Sequence, residues 1–281
     1  MNSMKKAMKL ALVGLFLVQA QVCAQQVQNS ARQSPIRSFA ATVGDDMFQV
    51  YTSPFRFKQS DGLKLVSVSS AAILLMTLLD EPINDNFIER DKLIVKPAIG
   101  MAKVGERYDR ITSKYVLAGL AVPMLVGGLA FHDKKMLTTT RLLFESYFIS
   151  GSITFIGKRL VGRARPLLKE GALDFTPFRF NAERDRRSFP SGHSTIAFAM
   201  MTVLAKQYPQ PWVAIPAYSL GLSVALQRIE SQQHWAADVF VGGAIGYWVG
   251  TALVNRTRQK HNNKPMTAYF MGNRAGIIVS F

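Results

Sequence analysis

The stretch from Ser188 to Ala199 reads SFPSGHSTIAFA and holds the most informative local pattern of the chain. Pro190-Ser191-Gly192 has the composition of a tight turn, and the residues from His193 onward have that of an apolar helix start. Such a helix start presents unpaired backbone N–H groups and the positive end of the helix dipole. We therefore predict an anion-binding turn, with the Ser191 hydroxyl and the His193 ring beside it. An ordinary N-cap, with a histidine that only satisfies the helix start, is the alternative.

A basic cluster lies upstream of this turn, where residues 158–166 read KRLVGRARP. Lys158 and Arg165 are seven residues apart, or two helical turns, so a helix through this stretch places both cationic groups on one face. Pro166 then ends the helix. A lysine point charge and a planar arginine fork together can hold several oxygens of one phosphate. Because two further arginines lie between them, a solvated basic helix end is the alternative.

The third cluster consists of Arg228, His234 and Asp238. The histidine and the aspartate are four residues apart, so on a helix the carboxylate lies over the imidazole and accepts its ring N–H. Such a partner fixes the tautomer and leaves the other ring nitrogen free to attack phosphorus. A surface histidine with an ordinary helical partner is the alternative. A metal site is disfavoured, because no cysteine and no dense set of carboxylates lies nearby in the sequence.

In this order and at these spacings, the three clusters resemble the signature motifs of the type 2 phosphatidic acid phosphatase superfamily, which also contains bacterial acid phosphatases and vanadium-dependent haloperoxidases. The resemblance covers roughly residues 65–255. One departure is Gln227, because the family usually has a serine before the arginine of the third motif. This departure removes one expected phosphate donor and leaves the assignment in place.

The resemblance implies a role for each matching residue. His234 is implied as the nucleophile that forms a phosphohistidine, Asp238 as the group that orients it, and His193 as the general acid that protonates the leaving oxygen. No metal and no cofactor is implied, and the other two histidines, His132 and His261, are interpreted as solvated. The groups implied to hold the non-bridging oxygens are Lys158, Arg165, Arg228 and the turn Ser191-Gly192.

The charge of the chain indicates an anionic partner. Lysine and arginine number 34, against 18 aspartates and glutamates, which suits phospholipid headgroups or phosphate esters. Nucleic acid is a poorer candidate, because the basic residues alternate with long apolar runs and form no stripe with aromatic residues. At 281 residues, the chain is long enough for one large domain with a full core.

The N-terminus has the pattern of an export signal over residues 1–24. Three lysines precede the apolar run Leu10–Val18, and Ala24 closes a small-residue cleavage site. An uncleaved membrane anchor is the alternative, although the apolar run is short for a span. Cleavage after Ala24 removes the only cysteine, so the mature chain is expected to contain no disulfide. Residues 25–63 then form a polar, loop-rich lead segment with a few short helical pieces.

Apolar segments predict an all-α fold, a bundle of about six core helices in a phosphatase domain at residues 64–258. A charged stretch, Asp80 to Lys114, separates the first two segments and is expected to hold an amphipathic helix. Because the motifs fall at the ends of the last four segments, we expect the active site at one end of the bundle. The tail, residues 259–281, alternates like a β-hairpin that turns at Gly272-Asn273. The apolar segments are Leu65–Leu79, Tyr115–Phe131, Leu142–Gly157, His193–Ala205, Pro211–Gln227 and Val239–Val254.

The apolar segments leave two topologies open. Each has 13 to 17 residues, short of the roughly 20 of a spanning helix, which favours a buried soluble bundle. The uncharged segment Tyr115–Phe131 and the basic loops His132–Arg141 and Arg256–Lys264 instead fit the positive-inside rule. Six spans with an outward site require a cytoplasmic lead segment, which a cleaved export signal contradicts. We expect an exported enzyme of the bacterial cell envelope, embedded in or attached to the membrane with its site facing the periplasm; a soluble periplasmic protein is the alternative.

Two classes of function are consistent with these features. The first is a phosphatase acting on a phosphate or diphosphate ester of a membrane lipid, such as phosphatidic acid, phosphatidylglycerol phosphate, a polyprenyl diphosphate or lipid A. A soluble acid phosphatase of broad specificity is its close variant. The second class is a non-catalytic basic membrane-binding protein, which the acid–base pair of histidines disfavours. A haloperoxidase with vanadate in the same pocket is a third reading, and the short chain is against it. The loop Leu167–Arg187 carries no pattern that identifies the lipid.

Overall fold

The computed structural model describes residues 35–56, 58–89, 95–178, 183–262, 266–271 and 274–279. The predicted all-α helical bundle is confirmed. A π-helical turn, Leu75–Leu79, joins the second and third helices, and short 3₁₀ helices occupy Ser53–Arg56, Pro166–Leu168 and Arg184–Arg186. The α-helices are α1 (Pro35–Thr52), α2 (Gln59–Leu74), α3 (Asp80–Glu89), α4 (Lys96–Ile111), α5 (Ser113–Ala130), α6 (Lys134–Val161), α7 (Gly192–Gln207), α8 (Pro211–Glu230) and α9 (Ala236–Asn262).

The chain divides into two compact units between Phe48 and Gln49. The first unit contains most of α1, an 18-residue helix with a proline in its first turn, where the fixed φ of proline suits a helix start. This helix is longer than the short helical pieces that the sequence predicts for residues 25–63. The proposed export signal, residues 1–24, lies outside the described residues.

Helix α7 is the centre of the second unit, and α6, α8 and α9 all pack against it. Its side chains from Ala197 to Ala205 are mostly buried. The approach of α9 is close because glycines recur every fourth residue on the facing side. A Cβ on Gly246 would lie 2.3 Å from the Thr195 carbonyl oxygen, and one on Gly250 would lie 2.7 Å from the Ala199 carbonyl oxygen. This contact fixes the beginning of α9 beside the beginning of α7.

Helix α4 is the amphipathic helix predicted in the charged stretch. It buries Ala102, Gly105 and Tyr108, which share one face, and packs against α8. A Cβ on Gly105 would lie 2.2 Å from the Ser223 carbonyl oxygen, so only glycine permits this spacing. The packing brings the C-terminal turns of α4 toward the end of α8, where the third motif begins.

The helices are longer than the apolar segments from which they were predicted. Helix α6 has 28 residues, because the Asp133 side chain accepts hydrogen bonds from two backbone N–H groups at its start and because the charge of Glu145 is paired with Arg141 at 2.7 Å inside the bundle. Charged residues therefore do not end these helices when they are capped or paired.

Three helical stretches of the described chain are long and apolar enough to cross a membrane, judged by length and composition. They are Gln59–Glu89 with 31 residues, Ser113–Ala130 with 18 and Ala236–Lys260 with 25. The expectation that every segment falls short of a span is wrong for these three, because each helix continues through polar residues beyond its apolar run.

Two antiparallel strands follow the bundle, β1 (Met266–Met271) and β2 (Arg274–Val279). Met266 lies opposite Val279 and Met271 opposite Arg274. The predicted turn residues, Gly272-Asn273, lie outside the described residues.

We predict that the α7–α9 contact does not tolerate a methyl group. Gly246→Ala should lower the free energy of unfolding by about 1–3 kcal/mol, because the added carbon overlaps the α7 backbone. Gly100→Ala is the matched control, since an added Cβ there meets no atom within 4 Å, and it should be neutral or stabilise α4 by about 0.5–1 kcal/mol. Thermal unfolding of the purified variants measures both. Equal melting temperatures for the two variants would contradict the proposed close packing.

Candidate active site

The first motif does not lie on one continuous helix. Helix α6 ends at Val161, because Gly162 adopts a left-handed conformation with φ 62°. A Cβ at Gly162 would lie 2.0 Å from the Thr176 carbonyl oxygen. The helix therefore stops before Arg165, and the prediction that Lys158 and Arg165 share a helix face is wrong. Pro166 does not end the helix but starts the next 3₁₀ turn.

Backbone hydrogen bonds fold the rest of the first motif against the loop before the second. Ala164 N–H donates to the Asp174 carbonyl at 3.0 Å, and Arg165 N–H donates to the Asp185 carbonyl at 2.9 Å. Ser188 N–H donates to the Arg163 carbonyl at 2.9 Å. The first two motifs therefore lie side by side.

The two cations of the first motif reach the site from different elements. Lys158 Nζ donates to the carbonyls of Arg187 at 2.7 Å and Ser188 at 3.2 Å. The Arg165 guanidinium donates to the Gln233 side-chain oxygen, next to His234 in the chain. A Cβ on Gly192 would lie 3.7 Å from Lys158 Cε. The lysine therefore lies against the start of α7.

Ser191 is the N-cap of α7. Its Oγ accepts a hydrogen bond from Ser194 N–H at 3.5 Å, and its own N–H donates to the Asp238 carbonyl at 3.0 Å. The capping role weighed as an alternative is therefore present. The turn is still the helix start that the sequence predicts, and it lies directly against the third motif.

His193 and Arg228 converge on a carboxylate that the sequence reasoning missed. Asp109, in the last turn of α4, lies 3.3 Å from His193 Nε2 and accepts from Arg228 Nη1 at 2.8 Å. The Arg228 carbonyl accepts from the N–H groups of Gln233 and His234, both at 3.1 Å. This tight turn brings His234 back beside the arginine that precedes it by six residues.

His234 and Asp238 are adjacent, but they do not lie on one helix as predicted. Helix α9 begins at Ala236, so the histidine precedes the helix and the aspartate lies in its first turn. His234 Nδ1 is 3.6 Å from Asp238 Oδ2 and 3.4 Å from the Ser188 hydroxyl. Because Nδ1 faces the carboxylate, Nε2 is the ring nitrogen left for other chemistry.

The Asp238 side chain accepts three hydrogen bonds. Its Oδ1 accepts from Arg163 Nη1 at 2.7 Å. Its Oδ2 accepts from the Ser188 hydroxyl and from the Trp235 N–H, the latter at 3.0 Å. All three motifs of the sequence therefore meet at this carboxylate.

The electrostatics of the site disfavour further positive charge. Burial, with Lys158 as the next cause, lowers the pKa of His234 to about 3. Burial followed by the charge of Arg228 lowers the pKa of His193 to about 4, while Asp109 opposes the shift. Burial and Arg165 lower the pKa of Lys158 to about 7. Such a site is complementary to an anion, whose charge would reverse these shifts.

The described residues contain no group of three or more His, Cys, Asp or Glu side chains that could hold a metal ion. The candidate site contains the cationic side chains of Lys158, Arg165 and Arg228, two histidines and the starts of two helices. Groups of this kind stabilise developing negative charge by electrostatic preorganisation.

Five residues of the site or its support were not singled out from the sequence. Arg163 and Ser188 lie within the first and second motifs. They are not among the motif positions that resemble the family signature, so the sequence alone offers no reason to select them. Gln233 also lies inside a motif, directly before His234. The other two are Asp80 and Asp109, and a lone polar residue far from the motifs gives no signal in the sequence before the fold is known.

Comparison with known proteins identifies relatives for this region. The family model described as PAP2 superfamily matches residues 139–262. A lipid A 1-phosphatase of Rhizobium etli is 37% identical over 116 residues, which is 40% of this chain and 48% of that protein. A lipid A 1-phosphatase of Porphyromonas gingivalis is 25% identical over 254 residues, or 88% of this chain and 49% of that protein. The chain thus spans about half the length of the curated relatives it matches.

A solved structure gives a more distant match. It is a crystal structure described as the first transmembrane PAP2 type phosphatidylglycerolphosphate phosphatase, from Bacillus subtilis. The two chains are 17% identical, the TM-score is 0.45, and the match covers 69% of this chain and 96% of the other.

We predict that an anion in the site raises the pKa of His193. The cations that lower this pKa to about 4 would be offset by phosphate, so saturating inorganic phosphate should raise it by about 1 or more. NMR titration of histidine-labelled protein with and without phosphate measures the change, and the exposed His132 serves as a reference signal. A His193 titration unaffected by bound phosphate would show that the anion binds elsewhere.

Proposed function

We propose that this chain, which belongs to the PAP2 superfamily, is a phosphatase that hydrolyses a phosphate or diphosphate ester of a membrane lipid through a phosphohistidine. The observation that carries the proposal is the buried pair of His234 and Asp238, with Nδ1 facing the carboxylate at 3.6 Å. Lys158 lies close enough to lower the pKa of that histidine. A neutral, oriented imidazole among cations is suited to attack a phosphate group.

The first half-reaction transfers the phosphoryl group to the enzyme. Nε2 of His234 attacks phosphorus, the bond from phosphorus to the ester oxygen breaks, and His193 donates a proton to that leaving oxygen. Lys158, Arg165 and Arg228 hold the non-bridging oxygens as the charge is redistributed. Asp238 stabilises the positive charge that develops on the His234 ring.

The second half-reaction returns the enzyme to its starting state. His193, now neutral, accepts a proton from water, and the water oxygen attacks phosphorus. The bond between phosphorus and Nε2 breaks, and inorganic phosphate leaves. His193 must therefore carry a proton when substrate binds, which the charge of the phosphate and the carboxylate of Asp109, 3.3 Å from Nε2, both favour.

Several features support a lipid as the substrate. Three helical stretches have the length and apolar composition of membrane spans, and both relatives described above are lipid A 1-phosphatases. We propose that the enzyme acts on a lipid phosphate of the bacterial envelope, with its site on the periplasmic side. The exported lead segment required by this topology rests on the sequence pattern of residues 1–24.

We predict that the two members of the histidine pair contribute unequally to turnover. His234→Ala should abolish phosphate release, because the nucleophile is gone. Asp238→Asn should retain a residual rate about 10³- to 10⁴-fold below wild type, because an orienting partner is lost but the nucleophile remains. His132→Ala, at an exposed histidine, is the control and should match wild type. Phosphate release from lipid phosphates in detergent micelles measures the turnover of all three variants. Near-normal turnover by His234→Ala would contradict the phosphohistidine mechanism.

Activity should also be independent of divalent metal. Cationic side chains supply the charge stabilisation, so the rate should survive incubation with EDTA. Vanadate should inhibit, because it adopts the trigonal-bipyramidal geometry of phosphorus under attack. Steady-state rates with each additive provide the measurement. Loss of activity on chelation, restored by zinc or magnesium, would show that the chemistry has been assigned to the wrong groups.

A further inference from the structure

We propose that Asp80 and Arg163 are positioning residues that set both the orientation and the effective charge of Asp238. The inference deepens the proposed function and rests on it, because it takes His234 as the nucleophile and Asp238 as its partner. Asp80 lies in α3, outside the region matched by the family model, residues 139–262.

The geometry is a buried chain of two carboxylates joined by one guanidinium. Arg163 Nη1 donates to Asp238 Oδ1 at 2.7 Å, and Arg163 Nη2 donates to Asp80 Oδ2 at 2.6 Å. The side chains of all three residues are fully buried. Arg163 Nε also donates to the Ala172 carbonyl at 2.9 Å, so the guanidinium is held in its plane by three partners.

The second oxygen of Asp80 holds the helix that carries Asp238. Asp80 Oδ1 accepts from Ala237 N–H at 2.8 Å, one of the unpaired donors in the first turn of α9. Asp80 therefore fixes Asp238 twice, through the backbone of the adjacent residue and through Arg163. A shift of α3 would move both contacts together.

The rest of this face of α3 supports neighbouring loops of the site. Glu81 Oε1 accepts from Ala172 N–H at 3.1 Å, and Asn84 Oδ1 accepts from Gln232 Nε2 at 3.2 Å. Ala172 follows the first motif, and Gln232 lies in the turn that leads to His234. These contacts align the loops, whereas Asp80 alone reaches the catalytic carboxylate through a charged group.

Charge balance gives Asp80 a function beyond alignment. If Arg163 were paired with Asp238 alone, the pair would be neutral and would stabilise an imidazolium poorly. Because the guanidinium is shared with Asp80, the three groups carry a net charge of about −1 in their ionised forms. That charge is matched when the His234 ring becomes positive on attacking phosphorus. The charges of the network and of the His234 ring therefore cancel in the phosphorylated state, whereas in the resting state a net negative charge remains.

Asp80→Asn tests this inference, because asparagine keeps the shape and an oxygen that accepts from Ala237 N–H. It removes the negative charge together with the oxygen that accepts from Arg163 Nη2. The charge of Arg163 is then balanced by Asp238 alone, so kcat should fall. We expect a loss of about 10- to 100-fold, the size of the effect when the partner that orients a metal-binding histidine is changed. KM and the vanadate inhibition constant should stay within about twofold of wild type, since the phosphate-holding groups are untouched. Asp85→Asn, at an exposed position of the same helix, is the matched control and should retain wild-type kcat.

A second variant tests the same inference independently, in case Asp80→Asn does not fold. Arg163→Lys keeps one positive charge but cannot bridge two carboxylates with a planar fork, so it should also lower kcat more than it alters vanadate inhibition. Wild-type kcat in Asp80→Asn or Arg163→Lys overturns the inference. Loss of vanadate binding together with a lowered melting temperature in both variants also overturns it, in favour of a purely structural network. Failure of the proposed function is distinguishable, because it appears as unchanged turnover in His234→Ala with Asp80 intact.

Discussion

The site depends on the burial of one carboxylate. A carboxylate taken out of water is costly unless a cation and hydrogen-bond donors match it. Asp238 meets this requirement with Arg163 from the first motif, the Ser188 hydroxyl from the second and the Trp235 N–H from its own helix start. Its backbone carbonyl also accepts from Ser191 N–H at 3.0 Å. The partners that compensate the buried Asp238 carboxylate come from all three motifs, so these contacts bring the motifs together. They also place His234 beside Asp238 Oδ2.

Close helix packing makes this assembly possible. The glycines of α9 let its backbone approach α7 until an added methyl group would overlap it, and the two helix starts then lie side by side. Gly105 has the same effect between α4 and α8, and it brings Asp109 to Arg228 and His193. Small residues in the core thus determine distances between charged groups at its end. The site has its low pKa values for both histidines because those groups are crowded and buried.

Much of the fold and the motif chemistry follows from the sequence, because apolar segments and short motifs are local patterns. The all-α bundle and the grouping of the motifs at helix ends are of this kind. The helix ends do not follow from local patterns, because Gly162 stops α6 through a left-handed φ. A backbone hydrogen bond from Arg165 N–H to the Asp185 carbonyl places Arg165, and a shared helix face does not. Asp80 lies 158 residues from Asp238 in the sequence, and Asp109 lies 119 residues from Arg228. Only the tertiary fold brings such distant carboxylates into contact with the site, so their role cannot be predicted from local sequence patterns.

The central claim is that the phosphoryl group passes through His234. Rapid quenching of the enzyme with a lipid substrate labelled with ³²P in its terminal phosphate tests it most directly. The account predicts protein-bound label that forms before free phosphate, is stable in alkali and lost in acid, and maps to the peptide containing His234. Release of phosphate without any such labelled species, or label on a different residue, would contradict the mechanism.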